Sequence, residues 1–411
     1  MEGFYLSNYA DVFSGDSDKN VVQSNEGNDT VYTQGGNDTV TGGAGLDLIY
    51  GGIGTDSLYG EGDNDVIYGD NSLTDTVNGG NDYLNGGAAN DTLYGGVGND
   101  SLYGDTGSDT LYDDIGIDYI DGGINAADEE NDTVIFYGGT SRVVVNLSSS
   151  SINYDATTLA ANRVIDSYGN TETITHIENV IGTSYADTFA GNASNNTIDG
   201  GVGADYFYAS LGNDYLQGGN DIDTLNFTTV TTDSGVSADL NSQHNVVFTV
   251  SGTAYVTTVF NVENFIGTSQ ADTILGDSST NYLQGMAGND TITALASNDT
   301  LDGGAGDDTL NGGAGNDTLN GGADNDTILF IDSTVGIQIN LDSSVQGGIA
   351  ALRAVGDGTD VLISIENATG SSSADTIYGD ASTNILNGGI GNDTIFGLGG
   401  IDTILGGADN D

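Results

Sequence analysis

The amino-acid sequence predicts an all-β protein, a parallel β-roll or β-solenoid of nine-residue repeats with wider coils inserted into it. Three observations lead there. Aspartate recurs at intervals of nine, glycines punctuate the residues before each of these aspartates, and one place in every repeat is almost always apolar. Internal repetition at a short fixed period is the signature of a stacked architecture, in which each repeat buries its apolar face only against its neighbours.

The aspartate spacing comes first because it defines the unit. Asp29, Asp38, Asp47, Asp56 and Asp65 are nine apart, and so are Asp82, Asp91, Asp100, Asp109 and Asp118. The same interval separates Asp205, Asp214 and Asp223, then Asp290, Asp299, Asp308, Asp317 and Asp326, then Asp393, Asp402 and Asp411. A solvated charge face has no reason to keep one spacing through five separate runs. The unit reads GGAGLDLIY at residues 42–50, GGIGTDSLY at 51–59, GGVGNDSLY at 95–103 and GGAGNDTLN at 312–320. Six turn residues precede three strand residues. The glycines at second and fourth places, such as Gly43, Gly45, Gly52, Gly54, Gly96, Gly98, Gly304, Gly306, Gly313 and Gly315, permit positive φ and close approach of backbone.

The eighth place supplies the candidate core: Val31, Val40, Ile49, Leu58 and Ile67, then Leu84, Leu93, Leu102, Leu111 and Ile120. Strand side chains alternate sides, so the seventh and ninth places face outward. Two units then make one coil of two strands and two turns, with coils stacked about 4.8 Å apart in parallel sheets.

A second motif interrupts the nonapeptides. It reads ADVFSGDSDKN from Ala10, ADTFAGNASNN from Ala186, ADTILGDSSTN from Ala271 and ADTIYGDASTN from Ala374. The last three follow IENVIG, VENFIG and IENATG, which place Glu178, Glu263 and Glu366 nine residues before Asp187, Asp272 and Asp375. Upstream of each lies an apolar, β-prone stretch: residues 143–147, 236–240 and 337–341. These predict three wider coils. The expected organisation is a repeat block at 1–136 that opens with half a linking module, a β insertion at 137–181 and repeats at 182–227. An insertion at 228–266, repeats at 267–330, an insertion at 331–366 and repeats at 367–411 follow.

Composition narrows the function. Of 411 residues, 66 are glycine, none is proline, and 61 acidic residues face four basic ones, for a net charge of −57. Such self-repulsion argues for disorder unless something neutralises it. Only nine of the acids are glutamate. Aspartate is the short carboxylate suited to tight turns and to oxygen cages for hard cations, which makes a divalent metal the expected partner. Nucleic acid and anionic membranes are repelled by this surface. There is no cysteine, so disulfides and thiolate metal sites are excluded. The start, Met1-Glu2-Gly3-Phe4-Tyr5-Leu6, has neither the basic nor the apolar region of a signal peptide, and no apolar run approaches membrane-spanning length.

On these repeats the chain resembles the RTX (repeats-in-toxin, haemolysin-type) family of calcium-binding β-rolls. The linking motifs are similar to modules common in large RTX proteins. The resemblance implies that the sixth-place aspartates from Asp29 to Asp402 bind Ca²⁺ together with turn carbonyls, each ion lying between turns of neighbouring coils. It implies multiple ions, roughly ten to twenty. Departures predict turns without an ion: Ala294-Leu295-Ala296-Ser297 and Ala209-Ser210 replace turn glycines, and Gly79-Gly80-Asn81-Asp82 reads as a unit short of two residues. The resemblance further implies type I secretion of an unfolded chain that folds in extracellular calcium. The family's usual C-terminal secretion signal does not follow Asp411 in this sequence.

Elementary electrostatics agrees. Unit charges about 4.8 Å apart repel by about 0.9 kcal/mol in water and about 3.5 kcal/mol at an effective dielectric of 20. Summed over five runs this exceeds the usual ~5–15 kcal/mol of net stability, so metal binding and folding are expected to be one process.

No catalytic constellation stands out, and the chain is expected not to be an enzyme. Neither His176 nor His244 lies in an HExxH motif, and the Gly-Thr-Ser stretches at Gly182 and Gly267 lack the nucleophile elbow. At the outward ninth place, Tyr32, Tyr50 and Tyr68 line one face, with Tyr59, Tyr94, Tyr103 and Tyr112 continuing on both faces. They read either as cross-strand stacking or as a contact surface for protein or glycan.

The resulting expectation is a calcium-dependent structural protein of the cell surface: an S-layer, filament or matrix subunit, or an adhesin segment. It is expected to self-associate end to end or laterally, because both ends read as uncapped coils, and a cell-surface polysaccharide is a further candidate partner. Two other classes stay open: the calcium-folding region of a secreted enzyme whose catalytic domain lies elsewhere, and an ice-binding solenoid carried by threonine ladders such as Thr300, Thr309, Thr318 and Thr327.

Overall fold

The computed structural model describes residues 2–71, 79–124, 131–154 and 157–411. Among them every helix or strand assigned is a strand. The chain divides into two compact units, Met1–Tyr206 with Ser210–Asp221, and Phe207–Ala209 with Ile222–Asp411.

In the first unit the nine-residue grammar becomes an eighteen-residue coil. Strand Thr30–Tyr32 pairs in parallel with Leu48–Tyr50, and that strand with Val66–Tyr68. The alternate strands Thr39–Ala44 and Ser57–Gly62 pair with each other in the second sheet. Each eighth-place residue therefore lies over the one eighteen residues away: Val31 over Ile49 and Ile67, Val40 over Leu58, Leu102 over Ile120. All are fully buried or within 1% of it. Burying one Ile or Leu contributes about 1.5–3 kcal/mol, and these rows are the only apolar layer the repeat offers. The second unit repeats the scheme through Tyr282–Ala287, Thr300–Ala305 and Thr318–Ala323 in one sheet and Thr291–Thr293, Thr309–Asn311 and Thr327–Leu329 in the other.

One expectation needs correction. The unit ending at Asp82 is not short. Gly69 and Asp70 fill its first two places and Gly79 and Gly80 its third and fourth, so in the sequence eight residues, 71–78, separate the second place from the third. The register shows it: Asp56 and Asp65 reach partners 26 residues on, Asp82 and Asp91, eight more than a coil. Residues 72–78 lie outside the described residues.

The three β insertions have an internal strand direction that the sequence reading did not specify. Each is an antiparallel three-stranded meander spliced into a parallel sheet. Val144–Asn146 pairs antiparallel with Arg163–Ile165, and that strand with Thr171–Thr175. The outer edges rejoin the repeats in parallel, Val144–Asn146 on Thr188–Ala190 and Thr171–Thr175 on Tyr119–Asp121. Gln338–Asn340, Arg353–Val355 and Thr359–Ile363 repeat this plan, and Ser237–Asp239, Asn245–Val250 and Thr253–Phe260 form the third meander. The apolar stretches identified from the sequence enter the core here: Val143, Val145, Ile337 and Ile339 are at most 1% exposed.

Candidate metal sites

Within each unit the sixth-place aspartates build ladders along the turns. The amide of Asp29 donates to Asp47 Oδ1 at 2.8 Å, and the amide of Asp47 to Asp65 Oδ1 at 2.8 Å. On the opposite turns Asp38 donates to Asp56 Oδ1, Asp82 to Asp100 and Asp100 to Asp118. In the second unit Asp290 donates to Asp308 and Asp308 to Asp326, while Asp299 donates to Asp317. The final block closes with Asp375 to Asp393, Asn384 to Asp402 and Asp393 to Asp411. One oxygen of each carboxylate is thereby committed to holding consecutive coils in register.

The other oxygen is the informative one. Oδ2 of Asp29, Asp38, Asp47, Asp56, Asp65, Asp82, Asp91, Asp100, Asp290, Asp299, Asp308, Asp317, Asp326 and Asp393 is buried without a hydrogen-bond donor. Asp109, Asp205 and Asp223 are buried in the same ladders. A buried, undonated carboxylate oxygen carries a full desolvation penalty unless a cation meets it. Burial, opposed in part by the ladder amide, drives these groups upward: Asp65, Asp82 and Asp100 to about 8, Asp91, Asp290 and Asp299 to about 7, and Asp47, Asp56, Asp308 and Asp326 to about 6.

The space around Oδ2 fits an ion. A methyl group on first-place Gly51 would lie 2.6 Å from Asp56 Oδ2 and 2.5 Å from the Gly69 carbonyl of the next coil. Carboxylate and carbonyl oxygens thus converge on a cradle that a β-carbon would fill. All donors are hard oxygens, as calcium requires. Around the cradle Gly43, Gly45, Gly52, Gly54, Gly96, Gly304, Gly306, Gly313 and Gly315 adopt φ between 84° and 158°. Gly98 keeps an ordinary φ and is held instead by close approach to the Gly80 carbonyl.

The substituted turns divide. Leu295 and Ser297 take φ of 84° and 92°, the left-handed conformation of the glycines they replace, and Asp299 Oδ2 stays buried and undonated. That turn keeps the cradle, against expectation. At the Ala209-Ser210 departure the Ser210 hydroxyl donates to Asp214 Oδ2 at 2.8 Å, so this oxygen has a donor of its own.

Sequence reasoning passed over the linking modules as site builders. Their turns sit in the same ladders but satisfy themselves. Thr268 donates its amide to Asp272 Oδ2 at 2.6 Å and its hydroxyl to Asp272 Oδ1 at 2.9 Å. Ser371 does the same for Asp375, and Thr183 for Asp187. At the following turns an asparagine replaces aspartate. Asn196, Asn281 and Asn384 each donate Nδ2 to the backbone carbonyl of Glu178, Glu263 or Glu366 one coil away. Glu178, Glu263 and Glu366 in turn accept the ladder amides of Asp132, Asp223 and Asp326. The nine-residue step from each glutamate to the next Asp was the signal. A further missed feature is the fifth place, where Asn28, Asn37, Asn90, Asn289 and Asn298 accept the amide of the next coil, a role foreshadowed by the recurring Asn-Asp pair.

The tyrosines form two columns. Tyr32, Tyr50, Tyr68, Tyr94 and Tyr112 stack with centroids 4.2–4.9 Å apart and ring planes within 25°. Tyr59 and Tyr103 belong to a tilted column with Tyr83 and Tyr119, centroids 5.2–5.6 Å apart. In the first column the ring faces cover one another, which favours cross-strand stacking over a platform for sugar rings. His176 Nδ1 lies 2.7 Å from Asp121 Oδ1, and His244 packs on Phe260.

A family model described as the RTX calcium-binding nonapeptide repeat (4 copies) matches residues 6–71, 76–125, 181–226, 266–328 and 365–411, well over half the chain. No curated protein matches the chain.

Proposed function

The chain belongs to the RTX calcium-binding nonapeptide repeat family, and on that premise we propose that it is a calcium-dependent extracellular structural protein. Proteins with these repeats are generally secreted by the type I route. The observation that carries the proposal is the row of buried, undonated Oδ2 atoms facing turn carbonyls. Bound there, calcium supplies the positive charge that the ladder lacks. The residues we assign to it are the sixth-place aspartates with undonated Oδ2, together with carbonyls of first-place residues such as Gly69.

A surface-layer, filament, matrix or adhesin role is supported by where the other polar groups are used. The hydroxyls of Thr183, Thr268 and Ser371 are hydrogen-bonded within turns, and His176 pairs with Asp121 across adjacent strands. We read the chain as non-catalytic on that basis. The hydroxyl edges of the tyrosine columns offer a lateral contact to a second copy.

Two measurements test this. Excess EGTA should abolish the β-type circular dichroism spectrum and millimolar calcium restore it, with magnesium substituting poorly because it demands a tighter octahedral shell. A spectrum indifferent to EGTA defeats the calcium mechanism. Light scattering at several protein concentrations should show calcium-dependent growth, and a folded chain that stays monomeric throughout rejects the assembly role.

A further inference from the structure

One carboxylate cluster falls outside the repeat scheme. In the unit at residues 113–121, Asp113 and Asp114 occupy the first and second places that elsewhere hold glycine. Asp113 ends strand Thr110–Asp113, and Asp118 is the sixth-place residue, receiving the Asp100 amide on Oδ1 at 2.7 Å. The next coil is entered from the first meander. Thr173 pairs with Tyr119, which sets Glu172 level with Asp118, in the sixth place of a coil that has no nonapeptide of its own.

Asp113 and Glu172 are each 1% exposed, and neither oxygen of either carboxylate has a hydrogen-bond donor. One oxygen each of Asp113, Asp118 and Glu172 lies within 4.8 Å of the other two, a grouping found once among the described residues. The neighbouring acid Asp166 differs. It is fully satisfied by the amides of Tyr168 and Asn170 and by Asn170 Nδ2. Asp114 Oδ2 accepts the Gly96 amide, and its Oδ1 is buried without a donor. Among the described residues, no Lys or Arg is seen in an ion pair with any of the three.

Calcium binds oxygens at about 2.3–2.6 Å, so two of its ligands stand at most about 4.6–5.2 Å apart. We propose that Asp113, Asp118 and Glu172 form a three-carboxylate site for a hard divalent cation, calcium in the setting of these repeats, which fastens the first meander to the repeat block. It differs from the turn cradles in taking three side-chain carboxylates, two of them from positions that are not repeat aspartates. Affinity for calcium rises with the number of charged ligands in a rigid site, so this site should fill at about tenfold lower calcium than the turns, or less.

The probe is calcium itself on the full chain. In equilibrium dialysis at micromolar free calcium, the unsubstituted chain should retain one ion more than Asp113→Asn/Glu172→Gln, whose side chains keep their shape and lose their charge. Equal retention by both chains overturns the site and leaves a pair of carboxyls sharing a proton. The unsubstituted chain provides a second readout that needs no variant to fold. In hydrogen exchange during a calcium titration, amides of Thr171–Thr175 should become protected at about one tenth of the calcium that protects Thr300–Ala305 and Thr318–Ala323. Protection of all three segments at one concentration also overturns it. If the turn cradles do not bind calcium, Thr300–Ala305 and Thr318–Ala323 will ignore the titration while Thr171–Thr175 still responds, so the two failures are distinguishable.

Discussion

The turns at Asp308 and at Asp272 occupy equivalent places in one ladder, one coil either side of Asp290, and they solve the same problem differently. Both carboxylates are buried and both accept a ladder amide on Oδ1, Asp308 from Asp290 and Asp272 from Val236. At Asp272 the second place is Thr268, whose amide and hydroxyl reach the carboxylate. At Asp308 that place is Gly304, with φ of 109° and no side chain, and Oδ2 has no donor. A nonapeptide turn leaves its charge for an ion to meet; a linking-module turn meets it internally. The ladder therefore alternates between metal-dependent and self-sufficient segments, and the difference rests on one residue per turn.

The largest effect that would break this comparison is calcium removal. Hydrogen exchange in EGTA should strip protection from Thr300–Ala305 and Thr318–Ala323 first, with the Asn281 and Asp272 turns the slower to open. Uniform loss would mean that bulk charge, not turn chemistry, governs stability.

Acidity offers a second handle. Without metal, the unfolded aspartates ionise near 3.8, whereas folded Asp47, Asp65, Asp100 and Asp290 hold their protons to about 6–8. Ionisation thus favours the unfolded chain increasingly from about pH 4 to pH 8, and the penalty vanishes below 3.8. In EGTA, β-structure absent at pH 8 should return on titration toward pH 4, followed by circular dichroism. With calcium present, the folding midpoint should fall as pH rises from 6 to 8, since the ion displaces those protons. A midpoint independent of pH would show that the carboxylates are already ionised in the folded turns.

Single substitutions sharpen it further. Asp308→Ala should raise the calcium midpoint severalfold in a fluorescence or circular dichroism titration. Asp342→Ala should leave it unchanged, because Asp342 lies outside the ladders, with a pKa lowered by hydrogen bonds from Ser344. Thr268→Val should lower stability by about 1–3 kcal/mol in urea melts at saturating calcium, leaving Asp272 short of a donor, without moving the calcium midpoint of the nonapeptide turns. The smallest expected effect is a gain: Leu295→Gly should stabilise by about 1 kcal/mol, since Leu295 holds a φ of 84° that only glycine adopts without strain.

The nine-residue aspartate spacing and the apolar eighth place determined the coil, the parallel pairing and the core before any coordinates. Those features are local and periodic, so a one-dimensional pattern contains them. Val31, Ile49 and Ile67 could stack in no other register without turning the apolar row outward. What the tertiary structure decided is non-local or non-periodic. The turn ending at Asp82 looked short because its first two residues, Gly69 and Asp70, stand before an insertion, and only the 26-residue register reveals them. The meanders share the β-prone composition of a parallel coil, and strand direction is set by which edge each strand joins, a contact that composition does not encode. Leu295 and Ser297 adopt glycine's backbone because the ladder on either side of them imposes it, overriding local preference. Glu172 reaches Asp118 across 54 residues of chain because a meander returns it to the sheet, so no spacing in the sequence could have placed the two side by side.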